Sequence, residues 1–180
     1  MKITSRELVL ISLFSALTAI GAFVSIPLGP VPITLQTLFV LLSGFLLKPK
    51  SAALSQIVYI GIGLVGLPIF SGFTGGLQAV LKPSFGFLIG FVVASIVASS
   101  LSKKNRTIAG LFVAGAVATL SMYIIGIPYM AFILNYVMDS GFSFMAILNM
   151  GLILFLPGDL LKLATAVYMG NRLSKILQKK

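Results

Sequence analysis

The sequence predicts an all-α integral membrane protein with six transmembrane helices, both termini cytoplasmic, and short irregular, partly re-entrant helices before the sixth. Three observations predict it. Of 180 residues, 58% are hydrophobic and only 9% are charged. A soluble domain carries about 25% charged residues, so this chain cannot cover itself with polar surface. Its apolar residues gather in runs that approach the roughly 20 a helix needs to cross a bilayer. Its basic residues cluster in every second connection between those runs.

The first span covers residues 8–26 and stops at Pro27-Leu-Gly-Pro-Val-Pro32, because proline supplies no N–H and cannot continue a helix. The second, 33–47, is short and is closed by Lys48-Pro49-Lys50. The third, 52–67, leads into a glycine-rich loop from Pro68 to Pro83. The fourth, 84–101, is closed by Lys103-Lys104-Asn105-Arg106. The fifth starts at Ile108 and stops near Ile125, where Gly126-Ile-Pro128 interrupts it. Two short apolar helices follow, 129–138 and 142–155, separated by Asp139-Ser-Gly141. The sixth span begins at Pro157, where the missing N–H has no intrahelical acceptor to serve, and reaches about Leu173. One continuous sixth helix over 144–169 is the alternative.

Charge tests this topology. Lys2 and Arg6 precede span one, Lys48 and Lys50 follow span two, and Lys103, Lys104 and Arg106 follow span four. Arg172, Lys175, Lys179 and Lys180 follow span six. With six spans, 11 of the 13 basic residues fall on one side. Cytoplasmic loops carry the excess of Lys and Arg, so both termini are placed in the cytoplasm of a multi-pass cell-membrane protein. The same placement accounts for the net charge of +10 without nucleic acid. A chain of this length is expected to form one domain over 1–180. The first apolar run leads directly into further spans, unlike a cleavable signal peptide.

With no histidine and no cysteine, imidazole or thiolate metal sites, disulfides, a cysteine nucleophile and histidine base chemistry are excluded. The chain has only 3 acidic residues. Glu7 and Asp139 are easily placed in water. Asp159 is not, since it stands between Leu152-Ile-Leu-Phe-Leu-Pro157 and Leu160-Leu-Lys-Leu-Ala-Thr-Ala166. An ionisable group at membrane depth costs about 2.5–3.5 kcal/mol on insertion scales, and it usually faces a cavity or a partner. Lys162 lies one helical turn further along. The pair either stabilises the start of the helix or binds a small polar ligand that offers both N–H donors and a carboxylate.

Other features are less specific. The loop Ser71-Gly-Phe-Thr-Gly-Gly-Leu-Gln78 is either an ordinary turn or a pocket lid, because glycine lets backbone approach a ligand closely. Lys82 beside it could steer an anion. Thr34, Gln36 and Thr37 open span two and could equally satisfy backbone groups freed by the prolines. Tyr59 and Tyr123 fall within spans, where tyrosine is more often a packing residue. No phosphate-binding G-x-x-x-x-G-K-[ST] pattern occurs, so any ATP hydrolysis must come from other chains. In span one, Ser12-xxx-Ala16 and Ser15-xxx-Ala19 are small-residue pairs that admit close approach of another helix, internal or from a partner.

One segment, Gly21-Ala-Phe-Val-Ser-Ile-Pro-Leu-Gly-Pro-Val-Pro-Ile-Thr-Leu-Gln-Thr-Leu-Phe-Val40, closely resembles the hallmark segment of BioY. BioY is the biotin-specific substrate-binding subunit, or S component, of energy-coupling-factor (ECF) transporters. Leu156-Pro-Gly-Asp-Leu-Leu-Lys162 and Gly66-Leu-Pro-Ile-Phe70 also resemble that family, in matching order. A Pro-Thr-Gly-Gly-Tyr-like run usually opens its fourth span; here the run reads Pro83-Ser-Phe-Gly-Phe87.

The resemblance implies high-affinity capture of biotin from outside, with no enzymatic activity, cofactor or metal. It implies association with a transmembrane coupling subunit and two ATPase subunits, and leaves a homo-oligomer open. The candidate substrate-binding residues are Asp159, Lys162, Thr34, Gln36, Tyr59, Thr74, Gly75, Gly76 and Gln78. Ser12, Ser15, Ala16 and Ala19 are the candidate docking residues. The competing expectation is a self-sufficient secondary carrier in which Asp159 is a proton site.

Overall fold

The computed structural model describes residues 4–178; Lys2, Lys179 and Lys180 of the charge argument lie outside them. Helix α1 (Ser5–Phe23) begins at a reciprocal cap. Thr4 Oγ1 accepts from Glu7 N–H at 3.3 Å, and Glu7 Oε2 accepts from Thr4 N–H at 3.2 Å, which satisfies two otherwise orphaned donors. Glu7 also pairs with Lys48 at 2.7 Å, tying the start of α1 to the far end of the next helix.

The proline segment after α1 is more ordered than the sequence suggests. Strands β1 (Ser25–Ile26) and β2 (Ile33–Thr34) pair antiparallel, Ser25 opposite Thr34, and frame the prolines as a hairpin. Helix α2 (Gln36–Leu46) follows at once. Pro49 then sits in the first turn of α3 (Pro49–Leu64), where its missing N–H costs nothing. The glycine-rich loop carries an isolated bridge between Phe70 and Thr74 and one short 3-10 turn, Leu77–Leu81. Helix α4 (Phe85–Ser102) packs most extensively on α5 (Ile108–Phe132). Glycine makes that approach possible. A Cβ on Gly86 would enter the Tyr129 ring, and one on Gly126 the Phe87 ring.

The fifth helix corrects the sequence reading. It does not stop near Ile125; α5 runs through Pro128 to Phe132 and continues as a π-helical turn, Ile133–Val137. The residues expected to form a separate helix at 129–138 therefore extend α5. Pro128 leaves one carbonyl of the preceding turn without its usual donor. Neighbouring helices hold the segment in line, as is common for proline inside apolar helices. The Tyr129 hydroxyl clamps the same turn to the 3-10 segment by donating to Val80 O.

Helix α6 (Phe144–Leu148) and a π turn (Asn149–Ile153) lead through two turn residues, 154–155, into α7 (Leu156–Gln178). The interruption thus falls just ahead of Pro157, and α7 is longer than expected at its far end. Among the described residues, four helical runs are long and apolar enough to cross a membrane: Ser5–Phe23, Phe85–Ser102, Ile108–Val137 and Phe144–Lys175. Helices α2, with 11 residues, and α3, with 16, fall short of the roughly 20 that a perpendicular crossing requires.

Several polar side chains inside the bundle are paired across helices. Gln56, fully buried on α3, meets Thr18 of α1 at 3.4 Å and Ser43 of α2 at 3.4 Å. Ser99 of α4 donates to Leu47 O at 2.6 Å. These bonds pin α1 to α4 around one core and leave a single end of the bundle to be shaped by the β hairpin, the glycine-rich loop and the α6–α7 connection.

Candidate ligand-binding site

That end encloses a cavity of about 200 Å³. The hairpin and the start of α2 supply Val31, Thr34, Gln36 and Thr37. The loop before α4 supplies Phe70, Thr74, Lys82 and Ser84, and α4 supplies Phe87 and Phe91. Tyr123 comes from α5, and Phe155, Asp159 and Lys162 come from the last helical run. With Phe85, six aromatic residues therefore line the cavity beside a small group of polar side chains, the composition expected of a small-molecule site.

Asp159 is the electrostatic centre. It is 5% exposed, and Lys162 is 8% exposed. Asp159 lies in the first turn of α7, with its N–H bonded to Phe155 O at 2.9 Å. Tyr123 donates its hydroxyl to Asp159 Oδ2. Oδ1 lies against the Lys162 ammonium, but no donor is aligned on it for a hydrogen bond. Oδ1 therefore has charge compensation and unused capacity to accept. Lys162 also donates to Thr34 O at 3.0 Å, so the last helix holds the first hairpin.

A second set of bonds sets the hairpin side of the cavity. Thr34 Oγ1 donates to Gln36 Oε1 at 3.1 Å, Gln36 Nε2 donates to the Tyr59 hydroxyl at 2.8 Å, and that hydroxyl donates to Ile69 O at 3.3 Å. Tyr59 is fully buried behind Gln36 and does not line the cavity.

The candidate residues thus divide. Asp159, Lys162, Thr34, Gln36 and Thr74 converge on the cavity, whereas Tyr59, Gly75, Gly76 and Gln78 do not line it. A Cβ on Gly75 would collide with Leu67 O, and Gly76 has φ +88°. Both glycines shape the turn. Gln78 is exposed and donates to Gly75 O at 2.9 Å. On α1, Ser12 and Ala16 are exposed and Ala19 is half-buried, while Ser15 faces inward at 5% exposure. The role of Tyr123 escaped the sequence reading. The signal for it is a buried carboxylate's need for a donor, in spans that offer few.

Tyr123→Phe is expected to keep the fold and weaken ligand binding about tenfold, since a hydrogen bond to a charged group contributes about 1.5–3 kcal/mol. Calorimetry on the purified variant checks this, and an unchanged affinity would remove Tyr123 from the site.

Residues 1–179 match the sequence profile of the BioY family. The chain belongs to the BioY family. It is 38% identical over 177 residues to the "Probable biotin transporter BioY" of Lysinibacillus sphaericus, covering 97% of this chain and 90% of that one. It is 35% identical over 171 residues to the biotin transporter BioY of Thermotoga maritima, covering 95% and 97%. A crystal structure of the S-component for biotin from an ECF-type ABC transporter matches with a TM-score of 0.85 at 26% identity, covering 97% of this chain and 95% of that one. Membership in BioY makes this an integral membrane protein of a transporter family, with the fold of an ECF S component.

Proposed function

We propose that this BioY-family chain captures biotin from outside the cell and delivers it with the help of an ECF coupling subunit and two ATPase subunits. One observation carries the reading: a buried carboxylate, Asp159, lines an aromatic cavity, and its Oδ1 rests against the Lys162 ammonium without a hydrogen bond. Biotin brings a ureido group with N–H donors, an apolar bicycle and a carboxylate tail. The ureido N–H donates to Asp159 Oδ1, and the bicycle lies among Phe87, Phe91 and Phe155. Lys162 is engaged by Asp159 and Thr34 O, so it orients the acceptor. Lys82, which lines the same cavity, receives the carboxylate.

The topology that goes with this reading has six spans, α2 and α3 completing the four long runs, and both termini in the cytoplasm. The cavity then opens outward, at the end opposite the basic loops. The outward stripe of Ser12, Ala16 and Ala19 on α1 docks the coupling subunit.

Titration calorimetry of the purified protein with biotin, no other subunit present, tests the reading. One-to-one binding is expected. A folded sample that binds no biotin would overturn it. Lys82→Gln is expected to weaken biotin about tenfold while leaving biotin amide, which lacks the charge, unaffected. Equal losses for both ligands would place the carboxylate elsewhere. Proton-driven uptake in proteoliposomes without ATPases would favour the self-sufficient carrier.

A further inference from the structure

The opposite end of the bundle holds a second cavity, of about 320 Å³, where the start of α1, the α2–α3 turn, the α4–α5 loop and the end of α7 meet. Its cations are Arg6, Lys48 and Arg106. Only Lys48 has an acidic partner among the described residues, Glu7 at 2.7 Å. Burial, then the charges of Arg106 and Lys48, lowers the pKa of nearby Lys103 from its ordinary value.

Two further features point to an anion. Helix α3 starts at this cavity, and its N-cap, Lys48, makes no side-chain capping bond, so the N–H groups of Lys50 and Ser51 have no capping acceptor, Pro49 carrying none; helix N-termini attract anions. Ser51 of that turn lines the cavity and is 5% exposed, and its hydroxyl has no hydrogen-bond partner among the described residues. The wall beside these groups is apolar, made by Phe45 and Leu47 at the end of α2. Cations and open N–H groups beside an apolar wall, at the level where helices leave the bilayer, suit a group whose head is anionic and whose tail is hydrocarbon.

We propose that this cavity is a phosphate-headgroup site for an anionic membrane lipid, held by Arg6, Arg106 and the open first turn of α3. Basic pockets between membrane helices are known to take such headgroups. The site stands apart from the biotin reading, because it shares no residue with the Asp159 cavity.

Native mass spectrometry of the purified chain, titrated with phosphatidylglycerol and separately with phosphatidylcholine, tests it. One tight phosphatidylglycerol adduct is expected, with phosphatidylcholine at least tenfold weaker. The Arg6→Gln/Arg106→Gln variant, altered at two exposed positions, should lose about 25-fold in phosphatidylglycerol affinity, each basic residue near a membrane surface contributing about fivefold. Its biotin titration reports whether the fold is intact. Ser51→Ala should lose a smaller part of the same affinity. Displacement of the lipid by millimolar inorganic phosphate would support the phosphate site and assign it to the free anion. Equal binding of the two lipids, or phosphatidylglycerol binding unchanged in the double variant, would overturn the proposal.

Discussion

Asp159→Asn is expected to weaken biotin binding about 100-fold, the scale of about 3 kcal/mol for truncating one member of a buried hydrogen-bonded charge pair. The substitution conserves shape and removes two things at once. The anionic acceptor proposed for the ureido N–H disappears, and the Lys162 ammonium, 8% exposed, is left without its counter-charge. A loss of binding could then come from either cause. Asp159→Asn combined with Lys162→Met separates them. That double variant strands no charge, so it should unfold later on heating than Asp159→Asn alone and still fail to bind. Calorimetry and thermal unfolding in the same detergent give both readings. A double variant that binds biotin normally would remove Asp159 from the site.

Lys162→Met is expected to be the most destabilising of the site substitutions. Breaking a buried ion pair by removing one partner costs about 3–5 kcal/mol, because the remaining charge is uncompensated. Here it would leave Asp159 with Tyr123 alone and would also free Thr34 O, which Lys162 holds at 3.0 Å. Thermal unfolding should begin at clearly lower temperature, and biotin affinity should fall at least tenfold through loss of orientation. Lys162→Arg, which keeps the charge, should recover most of the stability. A Lys162→Met protein as stable as wild type would mean that the pair is not buried as described.

The sequence exposed the charged pair of the candidate site more readily than the residues around it. Asp159 and Lys162 were legible because ionisable groups in apolar helix are expensive and rare. Tyr123 was not, because a tyrosine in a span satisfies packing as often as hydrogen bonding, and nothing in its spacing points across to another helix. Thr34 and Gln36 were legible only as polar residues after prolines; their convergence with Lys162 depends on the β1–β2 hairpin, whose strands have two residues each and leave no periodicity to read. Proline was informative where it ended α1 and where it opened α3, and misleading at Pro128. There, packing by α4 against Gly126 outweighs the lost hydrogen bond, a tertiary effect that local sequence does not carry. Gly75 and Gln78 showed that the loop bends sharply, but not which of its residues turn inward.

The bond from Lys162 to Thr34 O joins positions 128 residues apart in the chain. Ribosomes deliver the hairpin early and α7 last, so the carboxylate and its orienting ammonium reach the cavity only after every other wall has been made. A nascent chain stopped before α7 would have an aromatic pocket with no anion in it, and vitamin supplied during synthesis could neither template nor rescue the early helices. Ligand rescue should therefore be confined to full-length molecules. Retention on biotin resin can sort finished protein from truncated or incompletely inserted chains.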